Sequence, residues 1–244
     1  MALIVQKYGG SSLATLDRIQ EVARRVSQRK KEGNDLVVVV SAMGNTTNDL
    51  LKLAQQITDQ PPARELDMLL SSGERISMAL LAMALHQIDV PSISFTGSQS
   101  GIVTDTSHTH AKILEIRADR IKEQLTLEKV VIVAGFQGVS TQKEVTTLGR
   151  GGSDVTAVAL AVALSAKQCE FYKDVDGIYT KDPKQHIDAQ KMEHCDYDRV
   201  LTLAHAGAKI LHSEAVTLAK KHLMPLYIAS SFTQHQGTLV EQHH

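Results

Sequence analysis

The chain has 244 residues, of which 43% are hydrophobic and 22% are charged, and its formal net charge is −1. This balance is typical of a soluble globular protein, and the small net charge argues against a general attraction to nucleic acid or to an anionic membrane. No uninterrupted apolar run approaches the roughly 18 residues of a membrane span, and the apolar start is too short for a secretory signal. The two cysteines, Cys169 and Cys195, fit a reducing compartment, so we expect a cytoplasmic protein.

Strand-like and helix-like patterns alternate along the chain. Apolar runs typical of strands lie at Leu3–Gln6, Asp35–Val40, Ser92–Phe95, Lys129–Ala134, Gln168–Tyr172 and Pro225–Ala229. Helical patterns lie at Leu16–Arg29, Asn48–Thr58, Arg64–Gln87, Asp154–Ala166, Tyr197–His205 and Ser213–His222. The alternation predicts one compact α/β domain with a mostly parallel sheet, helices on both faces and ligands at the carboxyl ends of the strands. Gly138–Thr147 is expected to form a polar hairpin, and Pro61–Pro62 is expected to separate two helices.

Three loops rich in small residues carry the strongest functional signal. Lys7–Ser12 and Ser41–Thr47 each follow a predicted strand, and Gly149–Asp154 precedes a predicted helix. Glycines let a backbone approach a ligand closely, and free N–H groups at helix starts attract phosphate and carboxylate groups. Because charged residues stand at the rims of these loops, they predict a phosphotransfer site for two anionic ligands.

Each charged residue also has an ordinary structural interpretation. Lys7 could be a solvated lysine at a strand end, although the Gly-Gly-Ser-Ser that follows favours a functional role. Arg150 can bind a carboxylate through two parallel hydrogen bonds, whereas Ser153 or Asp154 could simply cap the next helix. Glu74 could be a solvated residue in a first helical turn or the acceptor for a substrate ammonium, and the sequence leaves these two interpretations about even.

Two later segments add weaker signals. The turn-rich segment after the fifth predicted strand contains Tyr172 and Tyr179, which could hold a purine by stacking. The same segment matches a calcium loop only superficially. Lys209, between two predicted helices, could be a helix C-terminal cation or a second phosphate ligand.

The histidines do not indicate a metal site. There are eleven histidines, and in the interior of the chain only His108 and His110 lie as close as two residues apart. This pair has no third ligand at zinc spacing. We therefore predict no transition-metal site, and we interpret residues 241–244, which end in His243 and His244, as a tail or the remnant of a purification tag.

Taken together, these motifs resemble the catalytic domain of aspartokinases, within the amino acid kinase family. The resemblance runs from residue 1 to about residue 240, and its segments in order are KYGGSS, VVVVSAMGNTTNDLL, PPARELDMLLSSGERIS, SFTGSQSGIVT, VAGFQGV, TTLGRGGSDVTAVALA, YKDVDGIYTKDP, GAKILH and GTLV. It implies a three-layer αβα sandwich with a mostly parallel central sheet, the carbamate kinase-like fold. It also implies an N-terminal part that binds the amino acid and a nucleotide-binding part at about residues 168–240.

The activity implied by this resemblance is transfer of the ATP γ-phosphoryl group to the side-chain carboxylate of L-aspartate. The products would be 4-phospho-L-aspartate and ADP, at the entry to lysine, threonine, methionine and diaminopimelate synthesis. Mg²⁺ would be bound mainly through the nucleotide phosphates. A carboxylate with a reference pKa of about 3.9 is already ionised, so it needs no general base, and the chain shows no nucleophile–base pair. Dimerisation is common in the family, and the sequence leaves the oligomeric state of this chain open.

The resemblance also implies roles for individual residues. The catalytic residues would be Lys7, Asp154 and Lys209, with Asp154 orienting the two lysines. The aspartate substrate would contact Ser41, Thr46, Thr47, Glu74, Arg150, Gly151, Gly152 and Ser153. The nucleotide would contact Lys7, Tyr8, Gly9, Gly10, Lys173, Asp174, Tyr179, Lys181, Asp182, Pro183 and Lys209.

The chain departs from the family in three respects. Lys173 stands where the family usually carries serine or threonine, and the segment Tyr197–His205 lacks the usual acidic character. Family members also typically continue into paired ACT regulatory domains, so this chain is either an unregulated, specialised enzyme or a piece of a longer protein. The alternatives are a kinase of the same fold that acts on glutamate, acetylglutamate, a carbamate or a nucleoside monophosphate, and a catalytically inactive paralogue that only binds an amino acid or a partner chain.

Overall fold

The computed structural model describes residues 2–181, 183, 185–208 and 210–242. Within these residues the helices are α1 (Leu16–Lys31), α2 (Thr46–Ile57), α3 (Ala63–Leu70), α4 (Ser72–His86), α5 (Asp119–Thr126), α6 (Gly152–Ala163), α7 (Tyr197–His205) and α8 (Ser213–His222). The strands are β1 (Leu3–Tyr8), β2 (Asp35–Val40), β3 (Ser92–Phe95), β4 (Ile102–Thr104), β5 (Ile113–Ile116), β6 (Val130–Ala134), β7 (Gln137–Ser140), β8 (Val145–Thr147), β9 (Gln168–Lys173), β10 (Ile178–Tyr179), β11 (Lys191–Met192), β12 (His194–Cys195), β13 (Leu226–Ser230) and β14 (Thr238–Val240).

A large, mostly parallel sheet forms the centre of the fold. Its strand order in the described residues is β12-β14-β13-β9-β1-β2-β6-β3, and only β13 and β14 pair in antiparallel orientation. The run Leu36–Val40 is fully buried, as expected for a parallel strand that is covered on both faces. The parallel register brings the carboxyl ends of β1, β2, β6 and β9 to the same edge of the sheet.

The helices cover the two faces of this sheet. On one face, alternate residues such as Val37 and Val39 pack in a cluster with the apolar residues of α5, α6, α7 and α8. On the other face, Leu36 and Val38 pack with α1 and α4. The arrangement confirms the predicted three-layer αβα sandwich.

Two smaller units project from the main sheet. A second sheet has the order β5-β4-β7-β8, and its β7–β8 pair is the hairpin predicted at Gly138–Thr147. The strands β10 and β11 form a short antiparallel ribbon. The second sheet lies beside α3, where Arg64 forms an ion pair with Glu144 at 2.8 Å.

All predicted strands and helices are present; β2, β3, α7 and α8 have the predicted ends, and the others differ by a few residues. β1 continues through Lys7 and Tyr8, and the helical region Arg64–Gln87 is divided at Ser71 into α3 and α4, where the sequence Ser71–Arg75 predicts an interruption. The prediction missed α5, which buries only Ile121, and six short strands of two to four residues, namely β4, β5, β10, β11, β12 and β14. As predicted, Pro61 and Pro62 lie between α2 and α3.

One apolar stretch, Ala63–His86, would be long enough to cross a membrane by length and mean hydropathy alone. It is interrupted at Ser71, and its residues Leu81 and Leu85 are fully buried in the cluster with α1 and the main sheet. We therefore interpret it as two packed helices of a globular core.

Candidate active site

A cavity of about 300 Å³ opens at the carboxyl edge of the main sheet. Its size is at the lower end of small-molecule sites, which span about 300–1,000 Å³. Its lining combines all three predicted loops with residues from α4 and β6–β7: Lys7, Gly10, Ser41, Ala42, Gly44, Thr47, Glu74, Phe136, Gly149, Arg150, Gly151, Gly152, Ser153 and Asp154. Most residues predicted to bind the amino acid therefore lie around one cavity.

Lys7 and Asp154 form a buried ion pair in this cavity. Lys7 Nζ lies 2.6 Å from Asp154 Oδ1, and the two side chains are only 7% and 9% exposed. The backbone N–H of His212 donates to Asp154 Oδ2 at 3.3 Å. Burial alone would raise the pKa of Asp154, but the ammonium groups of Lys7 and Lys173 hold it below its ordinary value. Lys7 is therefore a fixed cation with an ionised partner, and it is not a solvated strand-end lysine.

Lys173 lies in the same electrostatic environment. It is half-buried at the end of β9, and its ammonium donates to the backbone carbonyl of Ile210. Burial lowers the pKa of Lys173 and the nearby Lys7 lowers it further, whereas Asp154 and Asp174 oppose this shift. Lys173 thus places a second cation near Asp154.

Glu74 is a buried carboxylate with one unused oxygen. It is 3% exposed, and its Oε1 accepts a hydrogen bond from the N–H of Ala42 at 3.1 Å. Its Oε2 is buried and has no hydrogen-bond partner among the described residues. Burial raises the pKa of Glu74 to about 7, although hydrogen bonds from the backbone N–H groups of Glu74 and Ala42, and the charge of Lys7, partly oppose the shift. The interpretation of Glu74 as a solvated first-turn residue is therefore wrong.

Two of the loops pass each other closely at one side of the cavity. The N–H of Gly44 donates to the carbonyl of Gly10 at 3.0 Å, and the N–H of Ser41 donates to the carbonyl of Tyr8 at 3.1 Å. A Cβ at Gly10 would lie 2.9 Å from the carbonyl oxygen of Ala42, so only glycine allows this approach. The contact fixes Ser41 and Ala42 opposite the third loop.

The third loop leads into α6, which begins at Gly152 with Gly151 at the N-cap position. Gly151 has φ +76°, and no side chain caps the helix. The alternative in which Ser153 or Asp154 caps the helix is therefore wrong, and both side chains are left to the cavity. The ring of His212 occupies the space where a Cβ at Gly151 would lie.

Arg150 is exposed at the rim and lies in the loop before the N-terminus of α6. In the part of the chain that the structure describes, its guanidinium has no ion-pair or hydrogen-bond partner. A free guanidinium beside a helix N-terminus is well placed to bind a carboxylate.

Sequence reasoning missed Phe136, which also lines the cavity. Its φ is +69°, an uncommon conformation for a bulky residue. Its N–H donates to Thr156 Oγ1 at 3.1 Å, and its carbonyl accepts from the N–H of Leu148 at 2.9 Å. No local pattern signals a left-handed phenylalanine, although the segment VAGFQGV belonged to the resemblance.

Some predicted residues lie away from the cavity. Thr46 is not in its lining, and its hydroxyl donates to the carbonyl of Met43 at 2.7 Å. The ring of Tyr8 is fully buried and stacks on Tyr172 with 4.9 Å between centroids, so only the backbone of Tyr8 could contact a nucleotide. Tyr172 is 6% exposed and its hydroxyl donates to Glu170, so the prediction that it stacks on a purine is wrong.

Of the remaining predicted nucleotide contacts, Tyr179 belongs to β10 and Lys181 follows it closely. The hydroxyl of Tyr179 donates to Asp176 at 2.9 Å, and Lys181 pairs with Asp188 at 2.6 Å. Asp174 and Pro183 are exposed, and Gly9 donates its N–H to the carbonyl of Tyr172 at 3.3 Å. Lys209 and Asp182 lie outside the described residues, so their predicted roles stay predictions.

A larger groove of about 1210 Å³ lies on the face of the sheet that α1 covers, between α1 and the strands β9, β13 and β14. Of the residues predicted to contact a ligand, Tyr172 alone lines it, and the ring of Tyr172 is covered by Tyr8 and by Arg25. The other arginines of the groove are engaged locally; Arg29, for example, pairs with Glu170 at 2.7 Å. We therefore place the chemistry in the smaller cavity. Among the described residues there is no group of three or more His, Cys, Asp or Glu side chains that could hold a metal ion.

Comparison with known proteins defines the class. A model of the amino acid kinase family matches residues 2–230, and the chain therefore belongs to the amino acid kinase family. It is 53% identical over 241 residues to the aspartokinase of Mycobacterium tuberculosis H37Rv, covering 98% of this chain and 57% of that protein.

Two solved structures are similar along nearly the whole chain. The aspartate kinase from Synechocystis has a TM-score of 0.89 at 49% identity, with 99% of this chain and 40% of that chain covered. E. coli aspartokinase III in complex with aspartate and ADP has a TM-score of 0.89 at 27% identity, with 99% and 65% covered. The chain thus spans about 57% of the length of the curated relative.

Proposed function

We propose that this chain is an aspartate kinase catalytic domain that transfers the γ-phosphoryl group of ATP to the side-chain carboxylate of L-aspartate. The observation that carries the proposal is the unused Oε2 of Glu74, which is buried in the same cavity as Arg150 and the Lys7–Asp154 pair. A buried carboxylate oxygen without a partner is costly, and a substrate ammonium would supply the missing hydrogen bond.

The charges of the cavity complement those of aspartate. Glu74 would bind the α-ammonium group, and Arg150 with the N-terminus of α6 would bind a carboxylate. The second carboxylate would then lie toward Lys7. The relatives that are about half identical to the chain are named aspartokinases, and the E. coli structure contains aspartate and ADP, which supports this substrate over others of the same fold.

Catalysis in this arrangement would rest on positioning and charge. The attacking carboxylate of aspartate is ionised at neutral pH, so no side chain has to remove a proton from it. Lys7 would stabilise negative charge on the transferring phosphoryl group, and Asp154 would hold the Lys7 ammonium in place through their 2.6 Å contact. The loops around Gly10 and Gly152 would bring backbone N–H groups to the same region.

The nucleotide would occupy the side of the site that includes Gly9, Gly10, Lys173 and the β10–β11 ribbon. The residues from about 168 to 240 would form the nucleotide-binding part, and the part of the chain before them would bind the amino acid. Lys173 would add a cation near the phosphates, and Mg²⁺ would be carried mainly by the phosphates of ATP, where it would neutralise their charge.

We further propose that the domain acts in the cytoplasm, at the entry to lysine, threonine, methionine and diaminopimelate synthesis.

A turnover assay with a substrate panel tests the proposal. ADP release from MgATP would be coupled to a spectrophotometric signal with L-aspartate, N-acetyl-L-aspartate, L-glutamate, N-acetyl-L-glutamate, carbamate or UMP as acceptor. L-Aspartate should be the preferred acceptor, and N-acetyl-L-aspartate should be poor because it lacks the ammonium for Glu74.

Preference for an acetylated or nucleotide acceptor would instead favour another kinase of this fold. Absence of turnover with every acceptor, together with binding of aspartate by calorimetry, would identify an inactive paralogue.

A further inference from the structure

The buried carboxylate of Asp67 lies outside the cavity but is connected to it. Asp67 belongs to α3 and is fully buried. It accepts hydrogen bonds from Thr147 Oγ1 at 2.5 Å, from the N–H of Thr109 at 3.1 Å and from His108 Nδ1 at 2.7 Å. Every one of these donors belongs to a segment other than α3, so the carboxylate joins three parts of the chain.

Two of those parts, at Thr147 and at Thr109, adjoin the loop that carries Arg150. Thr147 ends β8, only three residues before Arg150, and its carbonyl accepts from the N–H of Ala111 at 2.9 Å. Thr109 lies behind Gly149, where a Cβ would be 3.1 Å from the carbonyl oxygen of Thr109 and 2.8 Å from His110 Nδ1. The loop therefore starts from an anchored residue and lies directly against an anchored segment.

We propose that Asp67 is a positioning residue that fixes the Gly149–Ser153 loop, and through it Arg150, by holding Thr147 and Thr109 in place. Arg150 is exposed and has no partner of its own among the described residues, so the backbone of its loop has to supply its position. A carboxylate suits this task because one side chain can accept all of these hydrogen bonds, and charge-assisted bonds hold their donors strongly.

Thr147→Val tests this role because it removes the hydroxyl that donates to Asp67 and keeps the shape of the side chain. Thr146→Val is the matched control: Thr146 precedes it in β8, is also fully buried, and pairs its hydroxyl with Thr104 at 2.6 Å, away from Asp67. Thr147→Ser keeps the hydroxyl and should behave like the unmodified chain.

The first readout is amide hydrogen exchange measured by mass spectrometry on the folded chain without ligands. Thr147→Val should speed exchange in peptides covering residues 147–153 by at least about tenfold and leave residues 41–46 unchanged. Equal acceleration in Thr146→Val, or none in Thr147→Val, would overturn the proposal. If Thr147→Val does not fold, Asp67→Asn gives the same readout, because it replaces one acceptor oxygen by an NH₂ group without changing the volume.

The second readout rests on the proposed function. The KM for L-aspartate should rise at least about fivefold in Thr147→Val, while the KM for ATP stays within about twofold, because only the loop of Arg150 is loosened. A rise in both KM values would refute the positioning role. If the unmodified chain fails to phosphorylate aspartate, the proposed function fails, and the exchange experiment still decides the role of Asp67.

Discussion

The pKa of Glu74 makes aspartate binding depend on pH in a calculable way. Burial raises this pKa to about 7. Only the ionised carboxylate carries the negative charge that favours a hydrogen bond from the substrate ammonium. With a pKa of about 7, the Glu74 carboxyl is ionised in about one molecule in eleven at about pH 6 and in about ten in eleven at about pH 8. The KM for L-aspartate should therefore fall about tenfold between those two pH values.

Initial rates at saturating MgATP, across this pH range, measure the effect. Glu74→Gln is the comparison variant, because it keeps the size of the side chain and cannot ionise. Its KM for aspartate should be high and nearly constant with pH, while its KM for ATP should follow that of the unmodified chain. A KM for aspartate that is independent of pH in the unmodified chain, or an unchanged pH dependence in Glu74→Gln, would refute the assignment of Glu74 to the ammonium group.

Four further predictions concern stability and the other site residues. Between pH 4.5 and about 7 the folded chain keeps a proton on Glu74 that the unfolded chain has released, so the free energy of unfolding falls as pH rises. Measured in urea and relative to Glu74→Gln, it should drop by about 2 kcal/mol from about pH 5.5 to about pH 8. Lys7→Ala should lower kcat at least about a hundredfold with little change in the KM for aspartate, and near-normal turnover in the coupled assay would remove Lys7 from its role. Arg150→Lys should raise the KM for aspartate and spare that for ATP, because a planar fork is replaced by a point charge; the opposite pattern of KM values would invert the two ligand positions. Gly151→Ala should lower the free energy of unfolding in urea by about 1–3 kcal/mol. Gly33→Ala should lower it less, because both glycines have positive φ but only Gly151 faces the His212 ring. Equal losses in the two variants would contradict the steric argument.

The fold was predictable from sequence because its strands and helices carry strong patterns. Val37–Val40 is a continuous apolar run, and the structure buries all of it between two helical layers. Elements with weak patterns were missed: α5 is largely polar, and β4 is three residues long. Such elements depend on tertiary partners, as β4 does on pairing with β5 and β7, and these partners are not visible in a local pattern.

The site was predictable to the extent that it is built from local loops. Lys7, Arg150 and Asp154 stood out because each adjoins glycines at the end of a strand or the start of a helix, and the structure places all of them at one cavity. Glu74 could not be decided from sequence, because its function depends on burial beside Ala42, which is 32 positions earlier in the chain. Asp67 and Phe136 gave no local signal, since their contacts join distant segments. The family resemblance supplied what local patterns could not, namely the identity proposed for the two ligands.

The perturbed groups of the site share a physical logic. Burial disfavours the charged forms of Glu74 and Lys173, so it raises the pKa of Glu74 and lowers the pKa of Lys173. In the proposed complex, an ammonium would face Glu74 and phosphate oxygens would lie near Lys173, and each ligand charge would favour the ionised form of its partner. Asp154 behaves differently, because the neighbouring Lys7 holds its pKa below the ordinary value despite burial. The ion pair that would act on the phosphoryl group is thus held by its own two partners, whereas Glu74 and Lys173 would each be favoured in the charged form by the ligand charge that faces them.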